Sequence, residues 1–441
     1  MAGCAVMRGP DLTHRSEIAT LHSPGRPVVL IHGFLGSKLR DPRSHKVAWG
    51  DMASIMFGGD TDLLALPLDA DHDETAPGLE AYQIYDQIWG VDYYSKIIDS
   101  LGSGGGYRFG DIDNPAPGEN AFVFVYDWRR DLVESAARLG RALERLRARL
   151  GPPDLRFDLV AHSQGGLIAR YFIKYGSIDV LDENEPEPTF AGASFVDKVI
   201  MLGTPNRGCL ESLKVLHLGV KKVFRPMRPE VVFTMPSVYQ LLPPEESILF
   251  ATPEGKPVDL GLYDPQTWVD EGWSAFSRDA QKRLLRKLGA QKLAARNQEM
   301  KEFLALQLQR SARLHRVLDR PGMPETVAYH ALGSDCVSTL KTAIVAERRG
   351  AKDGGARRDL VFDEQGIQQQ EGSAASRILF GPGDGKVLMR SLLALPEAAG
   401  AVDFQSAFFV CENHGLLTGN PVFQNNLLYL LLRREGERSG S

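Results

Sequence analysis

Phe157-Asp-Leu-Val-Ala-His-Ser-Gln-Gly-Gly166 is the stretch that decides the fold. Its apolar beginning predicts a buried strand, and residues 165–175 predict a helix directly after it. A serine on so sharp a turn needs very small residues two positions before and after it, usually as G-x-S-x-G. Ala161 and Gly165 meet this requirement. A serine that only caps the helix is the plainer alternative, but the surrounding pattern favours Ser163 as a nucleophile at the positive end of a helix.

Alternating strands and helices surround this turn. Apolar runs typical of buried strands occur at residues 27–31, 121–125, 198–202, 326–332 and 403–410, and helical patterns occur at residues 132–150 and 423–432. This alternation predicts an α/β fold with a mostly parallel central sheet and helices on both of its faces. In such sheets, sites lie at the carboxyl ends of the strands.

A serine nucleophile needs a general base and an acid that orients it. His414 follows the predicted strand 403–410 and precedes Gly415, which favours it as the base. Asp384 lies in a glycine-rich turn 30 positions earlier, and Asp335 also follows a predicted strand. We favour Asp384 because its turn projects a short carboxylate, while Asp335 stays open as the alternative.

Acyl transfer also needs two donors for an anionic oxygen. The backbone N–H of Gln164, directly after the nucleophile, is the first expected donor. The turn after strand 27–31 supplies the second, because Gly33 lets the backbone approach and Phe34 presents its N–H.

Composition excludes several classes of protein. The 441 residues carry a net charge of −5, which gives no electrostatic reason to expect nucleic-acid binding. Four scattered cysteines lack the spacing of a metal site and are expected to be reduced thiols of a cytoplasmic protein. We expect no metal and no cofactor. The amino terminus lacks the apolar stretch of a secretory signal, and no motif specifies an oligomeric state.

Two segments depart from the strand–helix rhythm. Residues 40–106 predict a lid excursion and residues 209–325 an inserted helical cap. The core would comprise residues 27–208 and 326–441, after an N-terminal extension 1–26. Residues 274–320 carry 12 Lys and Arg against 4 Asp and Glu. This basic amphipathic stretch either packs on the core as a cap with solvated charges or makes transient contact with an anionic membrane surface.

Several motifs together resemble those of the lecithin:cholesterol acyltransferase family. They are, in chain order, Leu30-Ile-His-Gly-Phe-Leu-Gly-Ser-Lys-Leu39, Tyr126-Asp-Trp-Arg129, Ala161-His-Ser-Gln-Gly-Gly166, Gly203-Thr-Pro-Asn206, Pro236-Ser-Val-Tyr-Gln-Leu-Leu-Pro243, Gly383-Asp-Gly385 and Asn413-His-Gly415. The resemblance implies an α/β-hydrolase fold with a cap and a lid, the latter around Trp49. It carries a catalytic triad onto Ser163, Asp384 and His414, and the oxyanion donors onto Phe34 and Gln164.

The chain also departs from the family pattern. Lys386 replaces the usual threonine after Gly-Asp-Gly, Ala161 replaces a glycine, and no cysteine pair staples the lid. The resemblance predicts acyl transfer or hydrolysis on lipid esters through an acyl-Ser163 intermediate. A small-ester or thioester hydrolase is the alternative, and a non-catalytic binding protein on the same fold is the third hypothesis.

Overall fold

A computed structural model describes residues 25–50, 61–68, 78–85, 87–88, 91–220, 226–347, 358–363, 377–395 and 402–433. Most of the predicted N-terminal extension 1–26, with Cys4, lies outside these residues. Parts of the predicted lid excursion 40–106 also lie outside them, at residues 51–60, 69–77, 86 and 89–90.

The described residues form strands and helices with the following bounds. The strands are β1 (Val28–Ile31), β2 (Ser37–Arg40), β3 (Val47–Trp49), β4 (Glu80–Ile84), β5 (Gln87–Ile88), β6 (Val91–Asp92), β7 (Phe109–Gly110), β8 (Ala121–Phe124), β9 (Phe157–His162), β10 (Val196–Leu202), β11 (Phe250–Ala251), β12 (Pro257–Val258), β13 (Ala328–Ser334), β14 (Val337–Leu340), β15 (Ala343–Glu347), β16 (Arg358–Val361), β17 (Phe380–Gly383) and β18 (Ser406–Val410). The α-helices are α1 (Ser95–Asp99), α2 (Leu132–Leu150), α3 (Gln164–Tyr175), α4 (Leu210–Leu218), α5 (Pro229–Val232), α6 (Pro236–Gln240), α7 (Pro265–Asp270), α8 (Arg278–Leu288), α9 (Ala290–Leu318), α10 (Met389–Leu392) and α11 (Pro421–Leu432).

Seven strands form the central sheet in the order β18-β13-β10-β9-β1-β8-β7. All of their pairings are parallel. This arrangement confirms the predicted α/β-hydrolase fold with a parallel sheet. The order also places β9, which leads to Ser163, between β1 and β10 in the middle of the sheet.

Helices cover both faces of the sheet because the strand residues alternate between two cores. Val29 and Ile31 of β1 point into the larger core, together with apolar residues of α2 and α3. Val28 and Leu30 point into the second core, which includes apolar residues of α1 and α11. Both faces of β1 are therefore buried, as expected for a parallel sheet.

A helical insertion lies between β10 and β13 and contains α4 to α9. It is not wholly separate from the later chain, because β11 and β12 join β15 and β16 in a four-stranded sheet of order β12-β11-β15-β16. The boundaries 209–325 and 326–441 stay a prediction. Among the helices in the described ranges, none combines the length and apolar character needed to cross a membrane.

Candidate active site

Ser163 lies on a strained turn between β9 and α3. Its backbone has φ 55° and ψ −126°, a region that non-glycine residues rarely occupy. The Ser163 N–H donates a hydrogen bond of 2.8 Å to the carbonyl of Leu202, at the end of the adjacent strand β10. The turn thus places the serine at the carboxyl end of the sheet and at the beginning of a helix.

Two glycines allow this turn to pack against the end of β1. A Cβ on Gly165 would lie 2.7 Å from the carbonyl oxygen of His32 and 2.9 Å from that of Ile31. A Cβ on Gly33 would lie 2.7 Å from the Cβ of Ser163. These neighbours are backbone or the nucleophile itself and cannot move aside cheaply. Ala161, in contrast, lies within β9 and is buried.

His414 links Ser163 to a carboxylate. Its Nε2 lies 3.0 Å from Ser163 Oγ, and its Nδ1 lies 2.7 Å from Asp384 Oδ2. The His414 backbone N–H also donates to the Asp384 carbonyl at 2.7 Å. The structure therefore brings together the three side chains predicted as nucleophile, base and acid, within the hydrogen-bond distances that proton transfer from a serine to a histidine requires.

Asp384 is held in one orientation by its own turn. Its Oδ1 accepts hydrogen bonds from the backbone N–H groups of Lys386 at 3.0 Å and Val387 at 2.7 Å. The side chain is 2% exposed. Asp335, the alternative acid, is exposed on the turn after β13. Asp384 is thus the acid that the structure places against His414.

The strand before Asp384 is not part of the central sheet. After β13 the chain turns into β14, and β17 returns antiparallel to β14. Asp384 follows β17 and makes a bridge to Val337 at the start of β14. The acid therefore reaches the carboxyl end of the sheet on a two-stranded ribbon that extends from β13.

Phe34 and Gln164, the residues predicted to supply the oxyanion donors, lie beside the nucleophile, since Gln164 follows Ser163 and Phe34 lines the same cavity. Gln164 is the first residue of α3, where N–H groups have no partner within the helix. Neither N–H donates to another group in the described part of the chain. The Phe34 ring packs edge-on against Trp128, with 5.0 Å between ring centroids. Both N–H groups are therefore available to an anionic oxygen.

Tyr94 is a component of the site that sequence reasoning missed. Its hydroxyl accepts a hydrogen bond of 2.8 Å from the Gly33 N–H and lies 2.7 Å from Nδ1 of His162. Burial holds the pKa of His162 well below its usual value, so this ring is neutral and shares one hydrogen bond with the tyrosine hydroxyl. Tyr94 thus ties the Gly33 turn to the residue before the nucleophile. The sequence around Tyr94 contains no motif that predicts this role.

An apolar cavity of about 240 Å³ opens beside Ser163 and His414. Its wall includes Leu35 from the turn after β1, Tyr93 before α1, and Val215, Val238 and Leu241 from the helical insertion. Lys386 and Glu211, which form an ion pair, lie on one side of it. The cavity suits an apolar chain whose reacting end lies at Ser163.

The cysteines differ from the sequence prediction. Cys336, after β13, and Cys411, after β18, form a disulfide, so the expectation of reduced thiols is wrong for these two. Adjacent parallel strands brought them together, which their 75-residue separation could not reveal. Burial raises the pKa of the Cys209 thiol to about 12 and keeps it protonated. The cytoplasmic location stays a prediction. It rested on reduced thiols, and Cys336 and Cys411 no longer support it because they form a disulfide.

Comparison with known proteins relates the chain to one family and one fold. An uncharacterized protein of Saccharomyces cerevisiae, YJR098C, is 30% identical over 142 residues, which are 32% of this chain and 20% of that protein. The match thus spans a fifth of the relative's length. A chain in the crystal structure of the Tle4-Tli4 complex has a TM-score of 0.59 at 13% identity, over 93% of this chain and 98% of that one.

A family model agrees with the motifs. The model described as lecithin:cholesterol acyltransferase matches residues 49–275, more than half of the chain. The matched region contains the turn with Ser163 and the helices that line the cavity. The chain belongs to the lecithin:cholesterol acyltransferase family.

Proposed function

We propose that this protein is a serine-dependent enzyme that hydrolyses lipid esters or transfers their acyl group to an alcohol. One observation carries the proposal: Ser163 lies on a strained turn, 3.0 Å from His414 Nε2, at the wall of an apolar cavity. The contact between His414 and Asp384 supports the same role. Membership of the family supports a lipid ester as the substrate.

In the first half of the reaction, Ser163 Oγ attacks the ester carbonyl carbon. His414 Nε2 takes the hydroxyl proton as general base, while Asp384 accepts the Nδ1 hydrogen bond and keeps the ring in the correct tautomer. The N–H groups of Phe34 and Gln164 stabilise the anionic oxygen. His414 then donates its proton to the leaving alcohol oxygen, and an acyl-Ser163 intermediate remains.

In the second half, the acceptor attacks the acyl-Ser163 carbonyl. His414 removes a proton from water or from an alcohol, and the same N–H groups stabilise the second anionic oxygen. Collapse returns the proton to Ser163 Oγ. Water gives a free fatty acid, and an alcohol gives a new ester, so the acceptor decides whether the enzyme is a hydrolase or a transferase.

The lining of the cavity favours a long acyl chain over a small acyl group as the group that is transferred. Its walls are mostly apolar, and each methylene that enters them gains about 0.8 kcal/mol. Val215, Val238 and Leu241 of the insertion form part of these walls, which supports its predicted role as a cap over the core. A small-ester or thioester hydrolase would gain little from this surface.

The test is mass-spectrometric product analysis with the purified full chain, defined phospholipids and a lipid alcohol. We expect acyl transfer or hydrolysis by the wild type, none by Ser163→Ala, and wild-type activity from Ser194→Ala. Ser194 is exposed and lies just before the amino end of β10, whereas Ser163 lies at the carboxyl end of the sheet, so it is the matched control. A fluorophosphonate probe should label Ser163 alone.

Each outcome is informative. Free fatty acid defines a hydrolase, and an ester of the added alcohol defines a transferase. Turnover of short esters or thioesters without lipid turnover would contradict the lipid proposal in favour of the alternative. Activity of Ser163→Ala close to wild type, or a probe adduct elsewhere, would contradict the nucleophile.

A further inference from the structure

Helix α8 has an inner side that anchors it to the protein. Ser277 caps its N-terminus by accepting a hydrogen bond from the Ala280 N–H. Ala280 is buried and Leu284 packs against the larger core. These contacts hold the helix against the rest of the insertion.

The two cations on the inner side are paired. Arg283 Nε lies 2.6 Å from Glu230 of α5, and Lys287 Nζ lies 3.1 Å from Asp62. Asp279, the one acid on α8, contributes to the electrostatic surroundings of Arg283. The Arg283 pair is largely buried and ties α8 to α5, whereas Lys287 is 66% exposed and its pair lies at the surface.

The opposite side of α8 carries Arg278, Lys282, Leu285 and Arg286, which we call the α8 outer face. Lys282 lies four residues from both Arg278 and Arg286 and three before Leu285, so the four side chains share one side of the helix, and all four are exposed. Leu285 is 45% exposed. Within the described residues, none of the three cations of this face forms an ion pair.

The later part of the basic stretch is different. In α9, Met300, Phe303 and Leu304 are buried in the larger core. Arg310 pairs with the buried Asp131 and with Asp179. The sequence interpretation of a packed cap therefore describes this half of α9, whereas the α8 outer face is left facing solvent.

We propose that the α8 outer face docks the protein on an anionic lipid bilayer. Three exposed cations complement the charge of such a surface, and a leucine between them can enter the boundary between headgroups and acyl chains. The chain as a whole has a net charge of −5, so attraction to anionic lipid must be local. The exposed leucine favours a bilayer over a purely charged partner.

Docking at this face would also bring the cap towards lipid. The Arg283–Glu230 pair connects α8 to α5, which lies shortly before the cavity residues Val238 and Leu241. Helix α8 and the cavity wall therefore belong to the same insertion, and the bilayer that holds α8 is a source of apolar substrate.

The test is co-sedimentation with vesicles of phosphatidylcholine alone or with phosphatidylglycerol added, using full-length Ser163→Ala so that the lipid is not consumed. We expect binding only to the anionic vesicles. Adding Arg278→Gln, Lys282→Gln and Arg286→Gln should lower the partition coefficient roughly a hundredfold, since each cation near such a surface contributes about fivefold. High salt should have the same effect, because screening shortens the range of the attraction.

The matched control removes three exposed arginines from α2, by Arg141→Gln, Arg145→Gln and Arg149→Gln. It changes the net charge equally and should keep vesicle binding. On the active background, the α8 triple variant should hydrolyse a water-soluble short-chain ester at the wild-type rate, which separates docking from catalysis.

Three outcomes would overturn the proposal. They are absence of binding to anionic vesicles, equal binding to neutral and anionic vesicles, and equal loss of binding in the α2 control. Binding to polyglutamate without binding to vesicles would instead indicate an acidic protein partner, and it would also overturn the bilayer assignment.

Discussion

Asp384→Asn tests the proposed triad most directly. Two backbone N–H groups donate to Oδ1 of Asp384, so the carbonyl oxygen of the asparagine must take that position. Its NH₂ group would then replace Oδ2 and face Nδ1 of His414, which is 2.7 Å away in the wild type. Because NH₂ donates, Nδ1 must accept, and the proton of the imidazole moves to Nε2.

The expected loss follows from that tautomer. A protonated Nε2 cannot take the proton of Ser163 Oγ, although the two atoms are 3.0 Å apart. Triads with the wrong tautomer lose on the order of 10⁴ in kcat, or about 5 kcal/mol of transition-state stabilisation. The asparagine oxygen keeps both backbone hydrogen bonds, so we expect a change of within about 1 kcal/mol in the free energy of unfolding.

The assay compares kcat and KM for a soluble ester in the wild type, Asp384→Asn and Asp335→Asn, with thermal unfolding as a check of the fold. Asp335 is an exposed acid on the turn after β13 and makes the matched control. We expect kcat to fall only in Asp384→Asn, with KM nearly unchanged. A kcat within about tenfold of wild type, against the 10⁴ expected of a triad acid, or a larger loss in Asp335→Asn, would refute the reasoning.

Three further perturbations test the surroundings of the triad. Tyr94→Phe removes the hydroxyl that bonds the Gly33 N–H and Nδ1 of His162. Leaving these buried groups unpaired should cost about 1–3 kcal/mol each, which should lower both kcat and thermal stability. Unchanged kinetics would contradict this role of Tyr94. Gly165→Ala places a Cβ 2.7 Å from a backbone oxygen and should abolish activity, whereas Gly102→Ala, whose nearest neighbour is 3.7 Å away, should not. Burial lowers the pKa of His32 to about 4, below about 6.5 in the unfolded chain, so its contribution to stability is complete above pH 6.5 and is lost as the pH falls towards 4. His32 should contribute a loss of about 3 kcal/mol over that interval in urea unfolding, so the profile of His32→Gln should be flatter than that of the wild type by this amount, and identical profiles would count against a neutral His32.

The sequence predicts the nucleophile turn because every requirement of the turn is local. A buried strand, a following helix and Gly165 within two residues of Ser163 all lie within one short stretch. The strand predicted before His414 has the same advantage, and the structure places that histidine where the pattern indicates. Local patterns therefore identify functional residues that lie on a tight turn directly after a strand.

Contacts that depend on which strands lie side by side could not be predicted from the sequence. Asp335 and Asp384 both follow strands, and only the pairing of β14 with β17 brings Asp384 to His414. The disulfide between Cys336 and Cys411 depends in the same way on β13 lying beside β18. Tyr94 reaches Gly33 across 61 residues, and no periodicity encodes such a contact.

The basic stretch 274–320 shows why periodicity alone leaves two interpretations open. Helices α8 and α9 are both amphipathic and both rich in Lys and Arg. Arg310 in α9 pairs with the buried Asp131, whereas Arg286 in α8 faces solvent. The two helices differ in the charged groups that neighbouring elements place beside them, and only the folded chain determines those neighbours. A cation has a structural role where a neighbouring element places a buried acid beside it. Where no acid lies beside it, the cation stays exposed and can bind another surface.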